Sequence, residues 1–465
     1  MTEVQKLAKF VHLRSYADLS ESAVTALKLR LLDGIACAIG ALKGEPVRMI
    51  KEQIKEFGGN PLATMIGGGR TAPDRAAFYN SALLRYLDFN DSYLAKKETC
   101  HPSDNIGSML AAAEYADKNG KDLLTALAIA YQVQCRLSDE APVRDKGFDH
   151  TVQGSYGAAA GAAYALGLDE NKIANAIAIA GTAYNALRVT RTGNLSHWKG
   201  LAFPSTGWTS THSAFLAQHG ITGPEEVFEG NKGFKDSIAG KFEINWDKED
   251  LERVTKTIIK KYNAEIHSQA TLEGVQELHR EHPFEVNDVE KIVLNTFDVA
   301  YNIIGGGEEG GKKNIRTKEE ADHSLPYLIS VMLLDGNVLP AQYLPERIVK
   351  EDVQKLLQKV EVNQKKEYSD RFPNEMPCDI TVYMKNGEQY HIEKKDYEGF
   401  VTRPASWETV IAKFNSLVTP FTDEKTREKI IDLVKNIEKH SVRELMEVLS
   451  GVGNKKGTIK RLIHI

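Results

Sequence analysis

The sequence predicts a mainly α protein: a large all-helical domain with a smaller α/β domain inserted toward its C-terminal end. Three observations predict it. Apolar residues recur at helical spacing through the first half of the chain, the pattern turns β-rich after about residue 255, and helical spacing returns from Trp407.

Val24 to Leu42 mixes Ala, Leu, Ile and Val at helical spacing, with Ser20 and Ser22 as N-cap candidates. Arg70-Thr71-Ala72-Pro73-Asp74 opens a helix that runs to about Asp88, since Pro and Asp suit a first turn with its unpaired N–H groups. Ile106 to Lys118 and Leu123 to Ser138 give two more. Tyr156 to Leu166 and Ile173 to Leu187 are rich in Ala and Gly, which suits central helices at close approach. Further on, Val289 to Asn295, Glu361 to Val362 and Asp379 to Met384 read as strands. Gly387 turns the last of these into a hairpin with Gln389 to Glu393. Trp407 to Leu417, Glu424 to Ile437 and Val442 to Leu449 are helical again. The expected plan is a helical domain over 1–260, an α/β lid over 261–400 and a helical completion over 401–465.

A chain of 465 residues exceeds one ordinary domain, and 42% hydrophobic residues suffice for a sizeable core. A net charge of −5 argues against a nucleic-acid surface but not against a small anion. Cys37, Cys100, Cys135 and Cys378 are scattered, without zinc spacing, so reduced thiols and no metal are expected. Met1 to Lys9 carries charges of both signs and does not read as a signal peptide. No run of about 20 apolar residues predicts a membrane span, and a cytoplasmic location is the expectation.

Four clusters carry titratable groups. Asp88-Phe89-Asn90-Asp91-Ser92-Tyr93 and His101-Pro102-Ser103-Asp104-Asn105 lie between two helices, where loops often hold chemistry. Their bland reading is Asx turns, with Ser103 or Asp104 capping the next helix. Asp149-His150 precedes the Ala/Gly helix, and a lone histidine there is more often structural. Arg188 to Gly200 gathers three cations, hydroxyls and glycines, a composition suited to an anion or to a plain surface loop. Tyr262 to Gln269, with His267, sits at the expected domain junction. Gly306 to Lys313 falls short of a phosphate-binding loop, because no Ser or Thr follows the lysine and two acids sit inside it.

Taken in order, these segments resemble the MmgE/PrpD family. The likeness is carried by LLDGIACAIG from Leu31, LRYLDFNDSYL around Asp88, HPSDN from His101, GNLSHWKG ending at Gly200, NAEIHSQAT around His267, ADHSLPY ending at Tyr327 and DYEGFVTRPASWE from Asp396. The resemblance implies a helical domain with an α/β lid, a homodimer, no cofactor, no metal and a small tricarboxylate substrate. It implies an iron-independent 2-methylcitrate dehydratase, with cis-aconitate decarboxylase or iminodisuccinate epimerase as alternatives and an inactive binding protein as a third. It also implies roles: His101 and His150 as the acid/base pair, Asp88 or Asp91 orienting His101 or its neighbours, and Lys199 binding a carboxylate or stabilising developing charge. Ser92, Ser103, Arg188, His267, Tyr327 and Arg403 would bind substrate. Eliminating water beside a carboxylate needs a base, a proton donor for the departing hydroxide and fixed positive charge, which these residue types supply. The chain also lacks a plausible cysteine set for an iron–sulfur cluster. Cys100 departs from the family pattern, and its thiol beside His101 is expected to alter substrate fit.

Overall fold

The structure, a computed structural model, describes residues 1–95, 97–193 and 195–453. It is mainly helical with small sheets and forms two compact units. One comprises Met1–Arg191, His197–Thr257 and Ser406–Ile465; the other comprises Thr192–Ser196 and Ile258–Ala405. The division falls at 257/258 and 405/406 rather than at 260/261 and 400/401. Backbone pairing explains the shift: Ile259 N donates to Gly399 O at 3.0 Å, which ties the two ends of the α/β segment together.

In the helical unit Ser20 caps Glu21–Gly40 by accepting from Ala23 N at 3.0 Å. Pro73–Tyr86 begins with its proline, and Ile106–Tyr115, Gly120–Glu140, Thr151–Ala165 and Glu170–Ala183 follow. The small residues work as expected. A Cβ on Gly157 would lie 2.8 Å from Ala130 O, and one on Gly161 would lie 2.9 Å from Ala126 O, so Thr151–Ala165 packs backbone-close on Gly120–Glu140. The bland capping reading fails: a 3-10 turn, Pro102–Asn105, precedes Ile106–Tyr115, and its N-cap Asn105 makes no side-chain cap bond.

Trp198–Gln218 is a helix that the sequence pattern hides, because Pro204 interrupts it and Thr and Ser crowd it. The hydroxyls of Thr206, Thr209, Thr211 and Ser213 bond back to carbonyls four residues earlier, so they do not compete with the helix.

The α/β unit holds a four-stranded sheet in the order Val360–Gln364, Val289–Thr296, Cys378–Met384, Gln389–Lys394. The first pair is parallel and the others are antiparallel. Gly387, at φ 89°, makes the expected turn. Gln269–Glu281 and Leu325–Asp335 are its main helices. Among the described residues, no helix is long and apolar enough to cross a membrane.

Candidate active site

The helical unit gathers the predicted residues of its half of the chain around the end of Pro73–Tyr86. Just past that helix Asp88 adopts φ 52°, a left-handed conformation that short polar side chains tolerate better than most. Its carboxylate is held from both sides. Arg85 Nη1 lies 2.5 Å from Oδ1, and Lys199 Nζ donates to Oδ2 at 2.9 Å. Lys199 is buried in the first turn of Trp198–Gln218. Asp88 is thus the counter-charge of Lys199.

Asp91 does the orienting, through its backbone. His101 Nδ1 lies 2.8 Å from the Asp91 carbonyl oxygen and 3.0 Å from Ser92 Oγ. A carbonyl only accepts, so Nδ1 carries a hydrogen. The Asp91 carboxylate faces inward, accepting from Ser103 N at 3.0 Å and Tyr131 OH at 2.8 Å; burial pushes its pKa up. Ser103 is fully buried, and its hydroxyl accepts from Asn90 Nδ2 at 2.8 Å. The same amide donates to Asp104 Oδ1 at 2.7 Å, and burial raises Asp104 to about 7 against the pull of Arg85 and Asn90.

His150 stands beside His101, edge to face, with ring centroids 5.4 Å apart. Its Nδ1 is 3.3 Å from Asp149 Oδ1, but Arg191 Nε takes the other oxygen of that carboxylate at 2.5 Å. Burial alone would raise Asp149; Arg191, His150 and Arg188 outweigh it and hold the carboxyl well below its usual range. Burial first, then Arg191, Arg85 and Arg188, drive His150 down to about 3, with only Asp149 opposing. The pair is therefore an anion beside a neutral imidazole, not an ion pair. His150 Nε2 is buried and has no hydrogen-bond partner among the described residues. Arg188 is half-buried, and its backbone N donates to Gly147 O at 2.9 Å.

The Cys100 thiol is fully buried. It packs with Tyr93, Ala95 and Cys135, and Ser138 Oγ donates to it at 3.4 Å. These contacts give it a packing role at the Tyr93–Leu94 and Thr99–Cys100 ladder.

In the α/β unit, His267 Nδ1 lies 2.7 Å from Glu265 Oε1, and its backbone N donates to Oε2 at 2.7 Å. The rings of Phe297 and Phe372 flank it, and its Nε2 is buried without a hydrogen-bond partner among the described residues. Tyr327 and Arg403 are engaged by their own unit. The Tyr327 hydroxyl donates to Gln342 O; the Arg403 guanidinium meets Glu273 and lies 3.0 Å from Asp396.

Sequence reasoning assigned no role to Arg85, Asn90, Tyr131, Asp149 or Arg191, which hold this arrangement. Arg85 had a readable signal, since it precedes Asp88 by three residues at a helix end, where an ion pair forms readily.

The MmgE/PrpD N-terminal domain family matches residues 5–247, and the MmgE/PrpD C-terminal domain family matches residues 262–439. The chain is 26% identical to the mitochondrial 2-methylcitrate dehydratase of Yarrowia lipolytica, over 79% of this chain and 73% of that protein. It is 28% identical to the 2-methylcitrate dehydratase of Escherichia coli strain K12, over 71% of each. It is 26% identical to the cis-aconitate decarboxylase of Mus musculus, over 93% of this chain and 90% of the other. With both domain families matched in order over most of its length, the chain belongs to the MmgE/PrpD family.

Proposed function

We propose that the protein is a lyase that removes water from 2-methylcitrate, or a close tricarboxylate, by side-chain acid/base chemistry. The observation that carries this reading is His150: a neutral, buried imidazole with an unpartnered Nε2, beside His101 and within the field of Arg85, Arg188 and Arg191. A field that repels a proton from histidine attracts carboxylates. The dehydratase names of the relatives agree with that chemistry.

In this mechanism His150 is the base. Bound carboxylates offset the arginines and raise its proton affinity just when it takes the hydrogen beside the carboxylate. His101, aimed by the Asp91 carbonyl through Nδ1–H, acts as the imidazolium: it gives its Nε2 proton to the departing hydroxide and is left as the neutral Nδ1–H ring. Lys199, held by Asp88, stabilises the charge that develops on the carboxylate. Ser92 lends a hydroxyl, and His267 is the residue of the α/β unit with matching chemistry. We further propose that the protein acts as a homodimer in the cytoplasm.

A second reading, cis-aconitate decarboxylase, is favoured by one observation: the mouse decarboxylase aligns over 93% of this chain, a longer span than the dehydratases above. Product analysis separates the two. Chelator-treated protein is given each 2-methylcitrate stereoisomer, citrate and cis-aconitate, and products are identified by ultraviolet absorbance and mass. The dehydratase reading expects 2-methylaconitate; carbon dioxide from cis-aconitate, with 2-methylcitrate untouched, would replace it with the decarboxylase.

A further inference from the structure

Behind the Asp88–Asp91 loop lies a buried charged cluster to which the mechanism above gives no part. Lys413 comes from Trp407–Val418, in the C-terminal helical segment, and Asp33 from Glu21–Gly40. Asp33 is 1% exposed and Lys413 is 8% exposed. Their charged atoms are 2.7 Å apart. The lysine does more than neutralise the acid. Its Nζ donates to the backbone carbonyl of Phe89 at 2.6 Å and lies 3.8 Å from the centre of the Phe89 ring. Arg30 belongs to the same cluster. It is held by Thr257, with Nε to Oγ1 at 2.8 Å and Nη2 to the carbonyl at 2.7 Å. Burial first, and then Asp91, push the Asp33 pKa up against the pull of Lys413 and Arg30.

Phe89 sits between the two residues on which the site depends. Asp88, in its left-handed conformation, sets the position of Lys199; the carbonyl of Asp91 sets the ring of His101. A carbonyl clamped between them fixes both directions at once. Solvent cannot do this, because the cluster is buried and the donor arrives from 324 positions along the chain. A fully buried ion pair is a weak source of stability, because desolvation offsets its attraction. Holding a loop in one geometry is a better account of its presence.

We propose that Lys413, held in place by Asp33, is a positioning residue for the active-site loop, acting on His101 and Lys199 through the Phe89 carbonyl. The proposal rests on the functional reading above for its kinetic arm only.

The test compares two double variants that both remove the charges and differ in one donor. Asp33→Asn/Lys413→Gln keeps an N–H for the Phe89 carbonyl; Asp33→Asn/Lys413→Met does not. The expected result is a kcat within about tenfold of wild type for the first and about 100-fold down for the second, each with KM little changed. Histidine-labelled protein gives a readout that needs no substrate. The imidazole nitrogen signals of His101 should show the Nδ1–H tautomer in wild type and the glutamine variant, and averaging between tautomers in the methionine variant. If wild type turns over none of the acids offered, the functional reading fails and the nitrogen signals alone decide the proposal. Equal kcat and equal His101 signals in the two variants would overturn it. So would a methionine variant that fails to fold while the glutamine variant folds, since the clamp would then serve the fold and not the site.

Discussion

In the helical unit His150 turns Nδ1 toward Asp149, its neighbour in sequence; in the α/β unit His267 turns Nδ1 toward Glu265, two residues back. Both imidazoles are buried, and both leave Nε2 without a hydrogen-bond partner among the described residues. The difference lies in who owns the carboxylate. Asp149 is bound by Arg191 at 2.5 Å and stands 3.3 Å from its histidine, whereas Glu265 bonds His267 through ring and backbone, both at 2.7 Å. Burial would raise Glu265, but His267, His323 and Lys260 hold it down to about 2. Sequence shows two His–carboxylate neighbours; it does not show the third partner, an arginine that takes Asp149 and adds to burial in keeping His150 neutral. That makes His150 a proton acceptor in waiting and leaves Glu265 dedicated to aiming His267.

The largest predicted effect falls on the charge that the helical site uses directly. Lys199→Ala should lower kcat by about a thousandfold in a folded protein, read by steady-state kinetics and circular dichroism. Near-normal turnover would remove lysine from the mechanism. Next, His101→Asn should lower kcat by roughly 100- to 10,000-fold, because the proton donor is lost while ring-sized packing is largely kept. A small effect there would leave His150 to work with a donor other than His101.

Arg191→Gln sharpens the comparison itself. It removes a positive charge and releases Asp149 to its histidine, giving His150 an undivided carboxylate of the kind His267 has in Glu265. Both changes raise the proton affinity of His150, and the acidic limb of the kcat/KM profile should move to higher pH. An unmoved limb would mean that the arginine field does not govern the base.

A smaller effect is on stability. The ordinary histidine value is 6.5 and the folded His150 value about 3, so between them the unfolded chain binds the extra proton. The stability tied to neutral His150 is present above pH 6.5 and is lost as pH falls toward 3, by roughly 5 kcal/mol at most. Asp104 runs the other way. Its folded value of about 7 exceeds 3.8, so its contribution is present at low pH and lost as pH rises through 7. Wild type should therefore lose stability relative to His150→Gln as pH falls from 6.5 to 4, measured by urea unfolding. A constant difference across that window would show that His150 is not kept neutral by the fold. The smallest effect is expected at Cys100→Ser, which should lower Tm slightly and leave KM unchanged, since the thiol packs against Cys135 and Ser138.

Much of the helical plan was legible because Leu, Ala and Ile repeat at helical spacing and Ser20 caps where a serine should. The Gly387 hairpin was equally plain. Trp198–Gln218 was not, because Pro204 and its hydroxyl residues argue against a helix until packing overrides them. Lys199 could be singled out, but not the helical first turn that presents it to Asp88. At the site, residue types were readable and partners were not. Nothing local shows that Asp91 acts through its carbonyl or that Arg191 takes Asp149 over 42 positions. Arg403, a natural carboxylate fork on paper, is committed to Glu273 and Asp396.

The most direct test of the account is a pH titration of the ring nitrogens of His150 by NMR in the substrate-free protein. The account predicts that His150 stays neutral well below pH 5, with Nε2 unprotonated, and that a tricarboxylate ligand shifts its titration upward. A His150 that titrates near 6.5 without ligand, or that ignores the ligand, would contradict it.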